Sequence, residues 1–335
     1  MTDLTTYYLG LRLRSPIVAS SSPVTGDPDG LLGLDAAGVG AVVLPSLFEE
    51  QIEHEALEVD RMLATGAEAF GEAAGYFTEL DTYNTGPDHY LARVTQAKAA
   101  LSVPVIASLN AVTSGGWVHY GRMLVDAGAD ALELNANLVA TDPAVPGARV
   151  EDELVAMVAR VVDAVTVPVA LKLGPFWSSL PQLAGRLSDV GVGALVLFNR
   201  PFAPDLDLEA LSVVPTLTLS EPDDLHLPLR WVALLEGRID AGLAVTSGVH
   251  DAAGVAKALL AGADVAMMAS ALLRHGPSHV ATVLADLRTW MADREYDSVD
   301  QLRGSVSARG VGDPAAYVRA NYLQALTSYS STFPY

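Results

Sequence analysis

One pattern recurs along the chain and restricts its fold more than any other feature. A helical segment ends in a glycine-containing turn, and a short apolar or β-branched run follows. Leu34-Asp35-Ala36-Ala37-Gly38-Val39-Gly40 leads into Ala41-Val42-Val43-Leu44, and Val125-Asp126-Ala127-Gly128-Ala129 leads into Asp130-Ala131-Leu132-Glu133-Leu134. Ser188-Asp189-Val190-Gly191-Val192-Gly193 precedes Ala194-Leu195-Val196-Leu197-Phe198, and Leu260-Ala261-Gly262-Ala263 precedes Asp264-Val265-Ala266-Met267-Met268. Glycine supplies the left-handed cap that stops each helix, and the uninterrupted apolar run is a strand buried on both faces. Val103-Pro104-Val105-Ile106-Ala107-Ser108 and Val167-Pro168-Val169-Ala170-Leu171-Lys172 add two strands, since proline is tolerated at a strand start. Pro16-Ile17-Val18-Ala19-Ser20 and Gly242-Leu243-Ala244-Val245-Thr246 complete eight. Strands alternating with helices imply a parallel sheet, and eight such units predict an α/β fold of the (β/α)8 TIM-barrel type. A doubly wound open sheet is the rival arrangement of the same alternation.

Two connections are long. One follows the second strand and holds Phe48-Glu49-Glu50-Gln51-Ile52-Glu53-His54-Glu55 and Asp81-Thr82-Tyr83-Asn84-Thr85-Gly86-Pro87. The other follows the sixth and holds Pro215-Thr216-Leu217-Thr218-Leu219-Ser220 and Leu229-Arg230-Trp231-Val232-Ala233-Leu234-Leu235. Insertions after strands 2 and 6 lie over the C-terminal face of a barrel, where ligands bind. No linker or low-complexity stretch divides the chain, so residues 1–335 read as a single domain, with 277–335 forming C-terminal helices and a tail.

Composition then excludes several classes of function. With no cysteine, the chain forms no disulfide, thiolate metal site, iron–sulfur cluster or thiol base. A net charge of −20 repels nucleic acid and anionic membranes at long range. His226, His250 and His275 lack metal-ligand spacing, so no metal is expected. The first residues carry no basic or apolar leader, and no apolar run approaches a membrane span, so the expected location is cytoplasmic.

The candidate chemistry falls at strand ends. Thr246-Ser247-Gly248-Val249 follows the seventh strand and Ala269-Ser270-Ala271 the eighth. Small residues there let backbone N–H groups approach a phosphate, although they also make ordinary tight turns. Lys172 ends a buried run and points into the barrel mouth. Its candidate roles are a cation facing an electron-rich cofactor ring, a Schiff-base amine, or half of a structural ion pair. Asn110, Asn135 and Asn199 form a ring of amides suited to a flat, hydrogen-bonding ligand. Glu133, between Leu132 and Leu134, is expected to pair with Lys172 or another interior cation in a structural role. Glu49, Glu50 and His54 belong to an acidic run that reads as a solvated helix face, or as reaching the mouth from the second strand.

These stretches together resemble the dihydroorotate dehydrogenase family of FMN-dependent barrels, and more nearly its bacterial dihydroorotate dehydrogenase-like branch. The resemblance is carried by Ser15-Pro16-Ile17-Val18-Ala19-Ser20-Ser21-Ser22-Pro23, Val43-Leu44-Pro45-Ser46-Leu47-Phe48-Glu49-Glu50-Gln51 and Pro104-Val105-Ile106-Ala107-Ser108-Leu109-Asn110. It continues through Ala131-Leu132-Glu133-Leu134-Asn135, Leu195-Val196-Leu197-Phe198-Asn199-Arg200 and Ala269-Ser270-Ala271-Leu272-Leu273-Arg274-His275-Gly276-Pro277. It implies an FMN across the barrel mouth, with its phosphate at Ser247, Gly248, Ala269 and Ser270 and its N1–C2 edge at Lys172. Ala19, Ser20 and Ser21 would pass under the ring, with Ser46, Asn110 and Asn135 also on the cofactor. Asn84, Asn135 and Asn199 would hold a small-molecule substrate, and Lys172, Asn135 and Asn199 would be the catalytic set. The implied activity is hydride transfer between dihydroorotate, or a related CH–CH compound, and flavin N5, a pyrimidine-biosynthesis reaction. The start of the chain lacks the membrane-docking extension of the quinone-using branch, which points to a soluble electron acceptor or a separate redox partner. The family resemblance, rather than any residue pattern, suggests a homodimer.

The sequence also departs from the family. Its enzymes carry a Cys or Ser base three residues past the strand-four asparagine, where Leu138 stands here in Asn135-Ala136-Asn137-Leu138-Val139. Pro45 occupies the place of a strand-two lysine, Ala140 lies near a missing second asparagine, and Ser247-Gly248 replaces a Gly-Gly pair. Leucine cannot take a proton, and loss of a positioned base costs roughly 10²–10⁴-fold in rate. Glu49, Glu50 or His54 is the candidate replacement, with Ser46 a weaker one. The alternatives are a flavin-binding homologue without dihydroorotate turnover, and a lyase using Lys172 as a Schiff base.

Overall fold

The computed structural model describes residues 2–48, 87–110, 114–136, 140–200, 204–214 and 217–330. Eight parallel strands close into a barrel: β3 (Ile17–Ala19), β4 (Ala41–Phe48), β5 (Val105–Asn110), β6 (Ala131–Ala136), β7 (Val169–Leu173), β8 (Ala194–Leu197), β11 (Gly242–Val245) and β12 (Val265–Met268). Each pairs with its sequence neighbours, and β12 closes the ring on β3, so all eight expected strands are found in the expected order. The (β/α)8 barrel is therefore the fold, and the open sheet is not.

Strand alternation produces two apolar shells. On β7, Ala170 faces the barrel axis, while Val169, Leu171 and Leu173 face the surrounding helices. Val18, Val43, Ile106, Val196, Ala244 and Met267 fill the interior alongside Ala170. The outer shell packs against helices α1 (Pro23–Gly26), α2 (Pro28–Ala36), α3 (Pro87–Ala100), α4 (Ser114–Asp126), α5 (Gly147–Ala164) and α6 (Leu180–Asp189). After the sixth barrel strand come a small exposed hairpin, β9 (Asp205–Asp207) with β10 (Ser212–Val214), and a helical turn at Pro222–Leu225. Then follow α7 (His226–Leu235), α8 (Ala252–Ala261), α9 (Ser270–His275), α10 (His279–Ala292), α11 (Val299–Leu302) and α12 (Pro314–Ser330). The last three lie between His279 and Ser330. Among the described residues, no helix is long and apolar enough to cross a membrane.

Gly40 shows how tightly the strand entries pack. A Cβ there would lie 2.1 Å from the Ser15 carbonyl oxygen, while the Gly40 N–H donates to the Ile17 carbonyl at 2.7 Å. Only glycine fits so near a neighbouring backbone.

The sequence did not reveal an N-terminal antiparallel hairpin of β1 (Thr6–Tyr8) and β2 (Leu11–Leu13). Its turn uses two successive left-handed residues, Leu9 at φ +54° and Gly10 at φ +71°, which matches the twist of paired strands. Tyr8, Leu9 and Leu13 join the interior shell beside Ala41, Ala131, Ala194 and Val265, the first inward residues of their strands. The hairpin thus stoppers the amino-terminal end of the barrel. The Thr6 hydroxyl anchors it by donating to the Asp264 carbonyl at 3.0 Å. Replacing Leu13 by Ala is expected to cost about 2–5 kcal/mol in urea denaturation, as for other buried leucines. Tyr7→Ser, on the outward face of the same hairpin, is expected to cost less than about 0.5 kcal/mol. Equal effects would contradict the stopper role.

Candidate active site at the barrel mouth

The alternation that fills the barrel with aliphatic side chains changes character towards the carboxyl ends of the strands. The next inward positions are Ser20, Ser108, Glu133 and Lys172, all buried. Asn135 lies beyond Glu133 on the same face of β6, and its Cα is in register with Lys172. On the other side, Lys172 is in register with the apolar Val196.

Lys172 and Glu133 form the centre of this layer. Lys172 Nζ lies 3.6 Å from Glu133 Oε1. Glu133 is 1% exposed and Lys172 8%. Neither Glu133 oxygen has a hydrogen-bond partner among the described residues, so the ammonium is the main compensation for a buried carboxylate. Opposite charges about 4 Å apart attract by roughly 4 kcal/mol at an effective dielectric of 20, against a desolvation cost of several kcal/mol per ion. The pair roughly breaks even, whereas either charge alone would not. Beneath it the Tyr8 hydroxyl is also buried without a hydrogen-bond partner among the described residues. Burial, and then the Glu133 charge, push its phenol well above the ordinary range, so Tyr8 stays neutral.

Above the pair is a cavity of about 270 Å³. Its wall draws Ser20 and Ser21 from the end of β3, Lys172 from β7 and Asn199 and Arg200 from beyond β8. Ser247 and Gly248 after β11, with Ala269 and Ser270 after β12, complete it. Asn199 Nδ2 donates to Asn135 Oδ1 at 2.9 Å, which ties the sixth-strand amide to the fourth-strand one. Ser247 and Gly248 are both left-handed at φ +75°. A Cβ on Gly248 would lie 2.2 Å from the Leu225 backbone nitrogen, so this turn packs against the post-β8 insertion only as glycine.

That insertion contributes groups that strand periodicity does not indicate. The Ser220 N–H donates to Ser270 Oγ at 2.9 Å, and Ser220 Oγ lies 3.3 Å from His250 Nε2. His279 Nε2 lies 2.8 Å from the His250 carbonyl oxygen. Arg200 donates to the Thr218 carbonyl, and its other terminal nitrogen is 3.7 Å from Asp224. Arg274 pairs with Glu221. Burial, and then the Arg274 charge, hold His250 below its ordinary value, so the neutral ring is favoured.

The cavity therefore brings together Ser20, Ser21, Lys172, Asn199, Ser247, Gly248, Ala269 and Ser270, with Asn135 bonded to its rim. Three other expected residues lie elsewhere. Ala19 turns its side chain into the shell between barrel and helices, because strand alternation puts Val18 and Ser20 inside and Ala19 outside. Ser46 Oγ is 2.7 Å from Ser108 Oγ and does not line the cavity. Asn110 ends β5 opposite Phe48, also off the cavity wall. Glu49, Glu50, His54, Asn84 and Leu138 lie outside the described residues. A cavity of about 380 Å³ opens at the opposite end of the barrel, lined by Tyr7, Glu236, Asp240, Asp264 and Arg303 among others. There the Asp264 carboxylate is engaged by Arg303 and the Leu243 N–H, a structural lock at the end of a barrel that does not host chemistry.

Two outcomes are expected. Lys172→Met strands the Glu133 carboxylate and costs about 3–5 kcal/mol at neutral pH, whereas adding Glu133→Gln recovers most of the loss. Additive effects of the two substitutions would contradict the pairing. For His250, a folded value below the unfolded one near 6.5 contributes stability above about pH 6.5 that is lost on acidification. The melting temperature of the wild type should therefore fall relative to His250→Gln between about pH 7 and 5. A constant difference would contradict the shielded site.

No family model matches the chain. Relatives of known name do. The catalytic subunit of dihydroorotate dehydrogenase B (NAD(+)) of Thermoplasma acidophilum is 26% identical over 317 residues, covering 91% of this chain and 99% of that protein. The same subunit of Desulforudis audaxviator is 25% identical over 308 residues, covering 90% and 96%. The similarity to these dihydroorotate dehydrogenase subunits extends over 90–91% of the chain.

Proposed function

We propose that the chain binds FMN across the barrel mouth and transfers hydride between a small cyclic substrate, dihydroorotate or a related CH–CH compound, and the flavin. The observation that carries this reading is Lys172, a buried cation aimed into a cavity otherwise walled by amides, hydroxyls and small residues. When bound, FMN supplies the two-electron acceptor.

The residues present fit that group. The cavity is near the lower end of ligand-site sizes and lies at the carboxyl ends of the strands. Ser247, Gly248, Ala269 and Ser270 offer the backbone and hydroxyl groups that a phosphate accepts from. The Lys172 ammonium would face the N1–C2 edge of the ring and stabilise negative charge there, which favours flavin reduction. Asn135 Oδ1 takes one N–H of Asn199, leaving the Asn199 carbonyl, its second N–H and the Asn135 amino group for ligand edges. Ser20 and Ser21 would border the ring from below.

The proton step rests on residues outside the described set. Leu138 occupies the position of the family's base and cannot accept a proton. Glu49, Glu50 or His54, which follow β4, would have to supply the base. Leu138 thus supports a second reading, a flavin-binding homologue without dihydroorotate turnover. The lyase reading is weaker. Lys172 Nζ lies 3.6 Å from Glu133 Oε1, an ion pair that a Schiff-base amine would have to give up. Electrons leave to a soluble acceptor or a separate redox protein, because a chain without cysteine ligates no iron–sulfur cluster of its own.

The test is an FMN titration of the purified protein, followed by anaerobic dihydroorotate. FMN should bind stoichiometrically, and Gly248→Ala should weaken binding at least about tenfold, because the added Cβ clashes with backbone. Bleaching of the flavin by dihydroorotate supports the enzyme; flavin that stays oxidised supports the second reading. Failure of FMN to bind contradicts both.

A further inference from the structure

The chain has 40 Asp and Glu against 20 Lys and Arg, yet among the described residues the cavity wall carries two cations, Lys172 and Arg200, and no carboxylate. The cations at and beside the cavity are engaged unequally. Lys172 lies 3.6 Å from Glu133. Arg274 meets both Glu221 oxygens with its two terminal nitrogens, a pairing of planar forks. Arg200 is held differently. One terminal nitrogen donates to the Thr218 carbonyl. The other is 3.7 Å from Asp224 Oδ2, beyond hydrogen-bond range. That oxygen already accepts the Glu221 N–H at 2.9 Å. Both side chains of this pair are exposed, and pairs in that setting hold weakly.

A guanidinium has five N–H donors in a rigid plane. Among the described residues Arg200 commits one of them to a hydrogen bond, and the carbonyl that takes it is on the cavity wall with Arg200 itself. The bond anchors the group at the wall without neutralising it. The same stretch of chain continues to Ser220, whose N–H holds Ser270 Oγ at 2.9 Å, and Asn199 precedes Arg200 on the wall. An anchored, under-paired guanidinium beside amide and hydroxyl donors is suited to an anionic oxygen group.

We propose that Arg200 is a binding residue that clamps an oxyanion of the ligand, a phosphate or a carboxylate. The proposal rests on the flavin reading for the molecule that brings the oxyanion, while the clamp itself requires only an anionic ligand.

The test compares ligands that differ in that group alone. FMN and riboflavin, which lacks the phosphate, are titrated into wild type, Arg200→Gln and Arg200→Lys and followed by fluorescence quenching. Orotate and uracil, which lacks the carboxylate, are titrated into the FMN-loaded proteins and followed by flavin absorbance. Arg200→Gln should weaken one anionic ligand by at least about tenfold and its neutral counterpart by less than about twofold, the mark of lost charge-assisted bonds. Selective loss of FMN assigns the oxyanion to the phosphate, and selective loss of orotate assigns it to the carboxylate. Arg200→Lys keeps a charge without the planar fork and should fall between, and it carries the comparison if Arg200→Gln does not fold. Arg122→Gln, at an exposed position on α4 outside the cavity wall, controls for net charge and should move neither pair. Equal losses for anionic and neutral ligands, or no loss in either pair, would overturn the proposal.

If the wild type takes up no flavin, melting temperatures with inorganic phosphate or orotate decide. Stabilisation that disappears in the Arg200 variant upholds the clamp and removes the flavin reading. Stabilisation that is absent in the wild type, or that persists in the variant, overturns the clamp as well.

Discussion

A carboxylate and an ammonium sit inside a closed barrel on adjacent strands, above an aliphatic layer and beside the buried Ser108. The rest of the molecule is arranged to make that tolerable. Parallel strands joined in a ring leave no edge for water to enter, and the N-terminal hairpin plugs the end away from the cavity with Tyr8, Leu9 and Leu13. The pair is thus shielded from below and open only upward, towards the cavity. A buried ion pair contributes little net stability. Its value lies in geometry: it fixes where a positive charge sits at the floor of a binding site.

The wider charge distribution makes that position notable. The chain carries a net charge of −20, yet the cavity wall includes Lys172 and Arg200, and Arg274 lies beside it on α9. Each cation has an acidic partner: Glu133, Asp224 and Glu221 respectively. The surface field repels anions at long range, while the local site presents cations at close range. Such a site suits a ligand that gains binding energy from short contacts rather than from steering. The serine and glycine turns after β11 and β12 add donors without bulk.

Much of this was legible in the sequence. Strands buried on both faces appear as unbroken apolar runs, four of them after a glycine-containing turn and two from a Val-Pro start, so all eight could be placed. Lys172 and Glu133 stood out because a charge inside such a run has few places to go. What escaped had physical reasons. The N-terminal hairpin turns through Leu9, a residue rarely found at positive φ, and its strands have only three residues each, too few for a period to register. On β3 a shift of one residue moves a side chain to the opposite face, so the Ala19 methyl faces the helices while Ser20 lines the cavity. Ser220 and Arg200 reach the cavity through loops, with His250 against Ser220, and the path of such loops follows from tertiary contacts and not from any repeat. The departure at Leu138, where the resemblance implies a Cys or Ser base, could be read from the sequence.

The most direct measurement of the central claim is a crystal structure of the protein soaked with FMN. The isoalloxazine ring is expected over the barrel mouth with Lys172 Nζ in hydrogen-bonding reach of its N1–C2 edge, Glu133 still paired beneath, and the phosphate against the Ser247–Gly248 and Ala269–Ser270 turns. A flavin bound elsewhere, or one seated in the cavity while Lys172 turns away from the ring, would contradict it.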